Sequence, residues 1–237
     1  MNSFWQTVAY MLEKGQNVFL ALVAEHTQHS PGTMGANLLV AKNHDPVGTI
    51  GGGIMEYKLV KQAGDILERD NYTPEIQTLI HRKSGPGEKS GMICAGKQTN
   101  LYYLCHPEKD GETVERIKHN LENDQSATLT ISPSSMLVKK QKPDVNKPQI
   151  KLSVRENGWF YEEQLLNFKR IAIIGGGHCS LALSRVMKNL GYGVFVYETR
   201  ENVFTITENR YTRSVQIVDD YRDAASLINY PELTNVV

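Results

Sequence analysis

The stretch Arg170-Ile-Ala-Ile-Ile174, Gly175-Gly-Gly177, His178 through Leu190, Gly191 and Val194-Phe-Val-Tyr197-Glu198 decides the fold of the C-terminal third. A short apolar run, three glycines, a segment of helical period, a glycine stop and a second apolar run make the opening βαβ unit of a Rossmann-like, dinucleotide-binding parallel sheet. The glycines have a physical use. Gly175 permits the tight turn, Gly177 lets a pyrophosphate approach the backbone, and the helix start supplies N–H donors and the positive end of its dipole. Ser180 and Ala182 stand where the full fingerprint prefers a third glycine. Glu198 follows roughly twenty residues on, at the end of the second strand, where a carboxylate can accept ribose hydroxyls. His178 either reaches a ligand phosphate as a neutral imidazole or simply caps and packs, because the dipole disfavours a permanent cation there. Cys179 reads as a packing residue.

Outward from this unit, a third strand is expected around Val215 to Val218, a helix over 221–229 and a fourth strand beginning at Asn235. The second domain is therefore taken as 167–237. A full doubly wound sheet needs roughly 120–150 residues, so the sequence is expected to stop within that domain.

Residues 1–166 read as a mixed α/β domain, which makes the whole chain α/β. Phe4, Val8, Met11 and Leu12 predict a helix over 3–14, and Val18 to Ala24 is a strand apolar enough to be covered on both faces. His29 to Gly35 is a loop, and residues 36–42 and 47–50 form a hairpin around Asn43-His-Asp-Pro46. After Gly51-Gly52-Gly53 the pattern turns helical, with Ile54, Leu59, Val60, Ala63, Ile66 and Leu67 on one stripe. Downstream, a strand over 98–104, a helix over 111–122, an extended run at 126–131, a solvated loop from Lys139 to Lys147 and a hairpin at Glu156-Asn157-Gly158 are expected.

Composition narrows the function. The 237 residues carry 26 Lys plus Arg against 26 Asp plus Glu, so no global field draws the chain to nucleic acid or acidic lipid. No apolar stretch is long enough to span a bilayer and the N-terminus lacks a basic leader, so a cytoplasmic location is expected. Three cysteines, Cys94, Cys105 and Cys179, without a CxxC pair argue against a disulfide framework or zinc finger.

Two further features bear on chemistry. Gly51, Gly52 and Gly53 before a helix offer a second anion cradle, and without a Lys-Ser/Thr ending it is no P-loop. Glu56, on the first turn of that helix, either faces the pocket or complements the dipole. Cys94 sits between Gly91 and Gly96 beside Lys97, a setting that favours thiolate and suits molybdenum-sulfur or persulfide chemistry. A lone loop cysteine is also commonly inert.

Together, Ser30-Pro31, Gly35-Ala36, Leu39-Val40, Gly48-Thr-Ile-Gly-Gly-Gly53, Glu56, Met92-Ile-Cys94-Ala-Gly96, Gly175-Gly-Gly177-His178, Ala182-Leu183 and Glu198-Thr-Arg200 resemble the XdhC/CoxI family of xanthine dehydrogenase accessory proteins. The resemblance implies a chaperone of purine metabolism, a carrier more than an enzyme, that binds the molybdenum cofactor. It would assist sulfuration and insertion of that cofactor into xanthine dehydrogenase or a related molybdenum hydroxylase. It points to Gly51, Gly52, Gly53, Glu56, Cys94, Gly175, Gly177 and His178 as cofactor-binding, with Cys94 reaching the molybdenum. Glu198 joins them from the Rossmann reading. Partners implied are the dehydrogenase, a cysteine desulfurase and a second copy of the chain as a homodimer; nucleic acid and membrane are not expected. Where many relatives carry Ser-x-Pro-Arg, this chain has Ser30-Pro31-Gly32-Thr33. The alternative reading is an NAD(P)-binding oxidoreductase or dehydrogenase subunit built on Gly175, Gly177 and Glu198.

Overall fold

The computed structural model describes residues 2–81, 96–123, 125–142, 144, 147–156, 158–165, 170–228 and 235–236. Its elements divide between two units, Met1–Leu165 and Leu166–Val237. The first unit opens with α1 (Asn2–Glu13), β1 (Val18–His26), β2 (Asn37–Ala41), β3 (Val47–Gly48) and α2 (Gly53–Arg69). It continues through β4 (Glu75–His81), β5 (Gly96–Cys105), α3 (Pro107–Glu122), β6 (Ala127–Ile131), β7 (Met136–Lys140), β8 (Ile150–Arg155) and β9 (Gly158–Leu165). One sheet runs β3-β2-β1-β5-β4 and a second β7-β6-β9-β8, with every pairing antiparallel.

β1 is covered on both faces as its continuous apolar run requires, although its neighbours are antiparallel. Val18, Leu20, Leu22 and Ala24 enter a core closed by α1, α3 and the inner face of the second sheet, whereas Phe19, Ala21 and Val23 enter one closed by α2. β5, paired beside β1, does the same, with Leu101 and Tyr103 on one side and Tyr102 and Leu104 on the other. The α2 stripe of Met55, Leu59, Ala63 and Ile66 is buried as its helical period predicts.

Three sequence expectations need correction or extension, and a fourth is met. β4 was not anticipated, since Glu75-Ile-Gln-Thr-Leu-Ile-His81 carries too much polarity to announce a strand. Lys139 and Lys140 belong to β7, an edge strand whose lysines resemble a solvated loop. α3 begins four residues early because Pro107 sits at its start and Glu108 and Asp110 occupy its first turn. The hairpin at 156–158 is present through the Arg155 to Gly158 pairing, while Asn157 lies outside the described residues.

The second unit contains β10 (Arg170–Ile174), α4 (His178–Asn189), β11 (Gly193–Glu198), α5 (Phe204–Thr207), β12 (Ser214–Ile217), α6 (Tyr221–Leu227) and β13 (Asn235–Val236). Its sheet is parallel with order β12-β11-β10-β13. That is the 3-2-1-4 order of a doubly wound nucleotide-binding sheet. Ile171, Ile173, Val194 and Val196 pack on the α4 side and Ala172 and Tyr197 on the α6 side. The expected βαβ unit, third strand, following helix and fourth strand are all in place.

Candidate functional site

In the first unit the glycine turn carries its own carboxylate. Glu56 sits one helical turn into α2, and its Oε2 accepts hydrogen bonds from Thr49 Oγ1 at 2.6 Å, Ile50 N at 2.8 Å and Gly52 N at 3.1 Å. Thr49 Oγ1 in turn accepts from Gly51 N at 3.1 Å. The other oxygen, Oε1, has no partner among the described residues. This arrangement satisfies amides that a helix start leaves unpaired and places a negative charge at the positive dipole end. Gly51, Gly52 and Gly53 all have positive φ, at 125°, 70° and 67°, which is why glycine is needed in this run. A Cβ on Gly52 would meet open space.

A buried amide that sequence reasoning passed over locks this turn to the loop before it. Gln98, on β5, accepts from Gly32 N at 3.0 Å and Ser30 Oγ at 3.1 Å, and donates to Ile50 O at 2.8 Å and Asn100 Oδ1 at 2.8 Å. Asn100 Nδ2 then donates to Tyr102 Oη. The two backbones are in direct contact: a Cβ on Gly32 would lie 2.3 Å from Ile50 O, and one on Gly51 would lie 2.7 Å from Gly32 N. Position 32 therefore has no room for a side chain. Gly96 packs in the same place, its missing Cβ 2.8 Å from Ser30 N. Cys94 lies outside the described residues. Among the described residues no three His, Cys, Asp or Glu side chains converge to hold a metal ion.

The second unit repeats the device. Glu198, at the end of β11 and fully buried, accepts from Gly176 N at 2.7 Å and Tyr221 Oη at 2.7 Å. It also takes the amides of Thr199 and Arg200 and both Nε and Nη2 of Arg200. The Arg200 guanidinium foremost, then the Tyr221 hydroxyl and the Gly176 amide, hold this carboxyl well below the usual carboxylate range. Its oxygens are engaged inside the protein, not presented to a ribose. Arg200 enters the sequence reading only as part of the Glu198-Thr-Arg200 motif, with no role assigned, and Tyr221 not at all.

Around this carboxylate, Gly175 turns the chain with φ 99° and bonds back to Tyr197 O at 2.7 Å. Gly177 is the N-cap of α4 and a Cβ there would meet nothing within 4 Å. His178 and Cys179 are exposed on the first helical turn, and Ser180 is buried. The first main-chain bond of α4 runs from Leu181 N to Gly177 O, which leaves the amides of His178 to Ser180 without helical acceptors.

These features define an α/β protein with two separately built glycine turns, each holding an internal glutamate, the second on a Rossmann-type sheet. Residues 11–78 match the model of the XdhC and CoxI family, so the segment carrying the first turn is XdhC/CoxI-like. A crystal structure described as a xanthine dehydrogenase from Bacillus halodurans resembles 96% of this chain and 72% of its own. That likeness has a TM-score of 0.62 at 16% sequence identity and shows a common fold. No curated protein sequence matches the chain. Among the described residues no helix is long and apolar enough to cross a membrane.

Proposed function

We propose that the chain is an accessory protein of xanthine dehydrogenase or a related molybdenum hydroxylase, binding the molybdenum cofactor and assisting its sulfuration and insertion. The observation that carries this reading is the Glu56 carboxylate inside the family-matching segment, clamped through one oxygen with the other unengaged. The fit is selective. Ile50 N and Gly52 N already bond Glu56, so the turn does not offer those donors to the cofactor's phosphate. A pterin ring edge carries amino and ring N–H groups, which suit a fixed acceptor oxygen beside the open space at Gly52. Glu56 with Gly51 to Gly53 would hold that edge, and Cys94 would approach the metal sulfur. The cofactor, when bound, supplies the dithiolene-held molybdenum of the client enzyme. In the second unit, Gly175, Gly177 and His178 at the start of α4 would take a nucleotide, NAD(P) included, through its phosphates.

Equilibrium binding with purified molybdenum cofactor tests the carrier reading. Wild type should bind, and Glu56→Gln should bind at least about tenfold more weakly because an amide cannot accept from three donors and a pterin together. No binding by the wild type ends the proposal, and equal affinity of Cys94→Ser removes the thiol from it. Association with the dehydrogenase, a cysteine desulfurase or a second copy is read by co-purification and light scattering.

A further inference from the structure

In the second unit α5 lies across the glycine turn. Thr205, buried, donates through Oγ1 to Gly176 O, and Ile206 fills the space above Gly176, its Cδ1 2.6 Å from where a Cβ on that residue would stand. The segment is fastened at both ends by polar anchors: the Glu198 cluster at 198–200, and Asn209, whose Nδ2 donates to Ser184 Oγ at 2.9 Å. Between these anchors the largest side chain, Phe204, is 73% exposed, so burial of that ring does not hold the strap down.

A second observation lies beneath it. Ser180 is 95% buried on the first turn of α4, and its Oγ has no hydrogen-bond partner among the described residues. Ser180 and Ser184 are one turn apart on the same helix face, and Ser184 is the residue that Asn209 grips. Ser180 therefore lies one turn before the residue by which α4 holds the far end of the strap. An unpaired buried hydroxyl is costly, and its presence beside amides of a helix start marks a place where an acceptor is missing.

We propose that α5 is an internal stopper of this turn, which a pyrophosphate-bearing nucleotide displaces. With the strap lifted, the amides of His178 to Ser180 and the Ser180 hydroxyl take one anion, while Glu198 keeps Gly176 and Arg200 in place. The proposal rests on the nucleotide reading of the second unit and adds its regulation: the closed form lowers apparent affinity by the fraction of molecules that are open.

Calorimetric titration of the full chain with ADP, with inorganic pyrophosphate as a second ligand, decides it. The Thr205→Val/Ile206→Ala variant, which loses both attachments, should bind ADP at least about tenfold more tightly than wild type. Adding Ser180→Ala to that variant should take back about tenfold, whereas Ser180→Ala alone should leave the melting temperature unchanged or raised. Equal binding by wild type and opened variant overturns the stopper and leaves the nucleotide reading standing. No binding by either overturns both. Pyrophosphate binding as well as ADP would assign the affinity to the phosphates alone. Should the opened variant fail to fold, hydrogen exchange on wild type replaces it: ADP should speed exchange over 204–208 and slow it over 177–181, and an unchanged strap refutes the proposal.

Discussion

Replacing Glu163 by glutamine should flatten the pH dependence of the first unit's stability. Glu163 points inward from β9 between its cross-strand neighbours Leu129 and Ile150, is 5% exposed, and accepts from Tyr161 Oη at 2.8 Å. Burial pushes its carboxyl up from 4.5 to about 7, against the opposing pull of the Tyr161 hydrogen bond. A carboxyl raised on folding costs nothing while it is neutral in both states, at pH below 4.5. As pH rises from there the unfolded chain ionises first, and stability falls until the folded carboxyl ionises as well near 7. The interval corresponds to about 3 kcal/mol, most of it lost between pH 5 and pH 8. Trp5 and Trp159, the chain's two tryptophans, are both buried in the first unit's core, so their emission follows that unit alone. Urea titrations at the two pH values should show wild type losing about 2.5 kcal/mol more than Glu163→Gln. Parallel pH profiles for the two proteins would refute the assignment of a buried, neutral carboxyl.

Glu198 has the opposite sign: its carboxyl is depressed by Arg200, so its stabilisation of the second unit is present above the ordinary carboxylate range and lost on acidification. Protection factors of the β10 and β11 amides, corrected for the intrinsic exchange rate at each pH, should fall below pH 4 in wild type and be reduced already at pH 7 in Glu198→Gln. Gln98→Ala should destabilise the first unit by about 3 kcal/mol or more, since Gly32 N, Ser30 Oγ and Ile50 O lose a buried partner together. Gly32→Ala should be comparably damaging because its Cβ meets a backbone oxygen that cannot move aside. Gly64→Ala, inside α2 with open space around it, should instead stabilise by about 0.5–1 kcal/mol; tryptophan-monitored urea unfolding reads all three.

What the sequence shows depends on how local the cause is. β1, α2 and the β10-α4-β11 unit are legible because apolar period and glycine punctuation are properties of neighbouring residues. β4 and β7 are illegible because their polar residues face outward at sheet edges and only the partner strand makes them strands. Glu56 and Glu198 could be found, yet their use could not. That each carboxylate folds back onto its own glycine turn follows from where Thr49, Arg200 and Tyr221 come to rest in three dimensions. Gln98 is less legible still. Nothing in Lys97-Gln-Thr-Asn100 sets it apart until loop 30–33 and Ile50 close around it.

The Gln98 knot also limits how the protein can be cut. The stretch recognised as XdhC/CoxI-like ends at residue 78, whereas β5, which lies between β1 and β4 and brings Gln98, begins at Gly96. A fragment trimmed to the recognisable stretch would leave β1 with a raw edge and loop 30–33 with no amide to tie it to the glycines. Because the other face of β1 and β5 is covered by α3 and the second sheet, the smallest portable version of the first turn extends to Leu165, and experiments on shorter pieces would be measuring a different object.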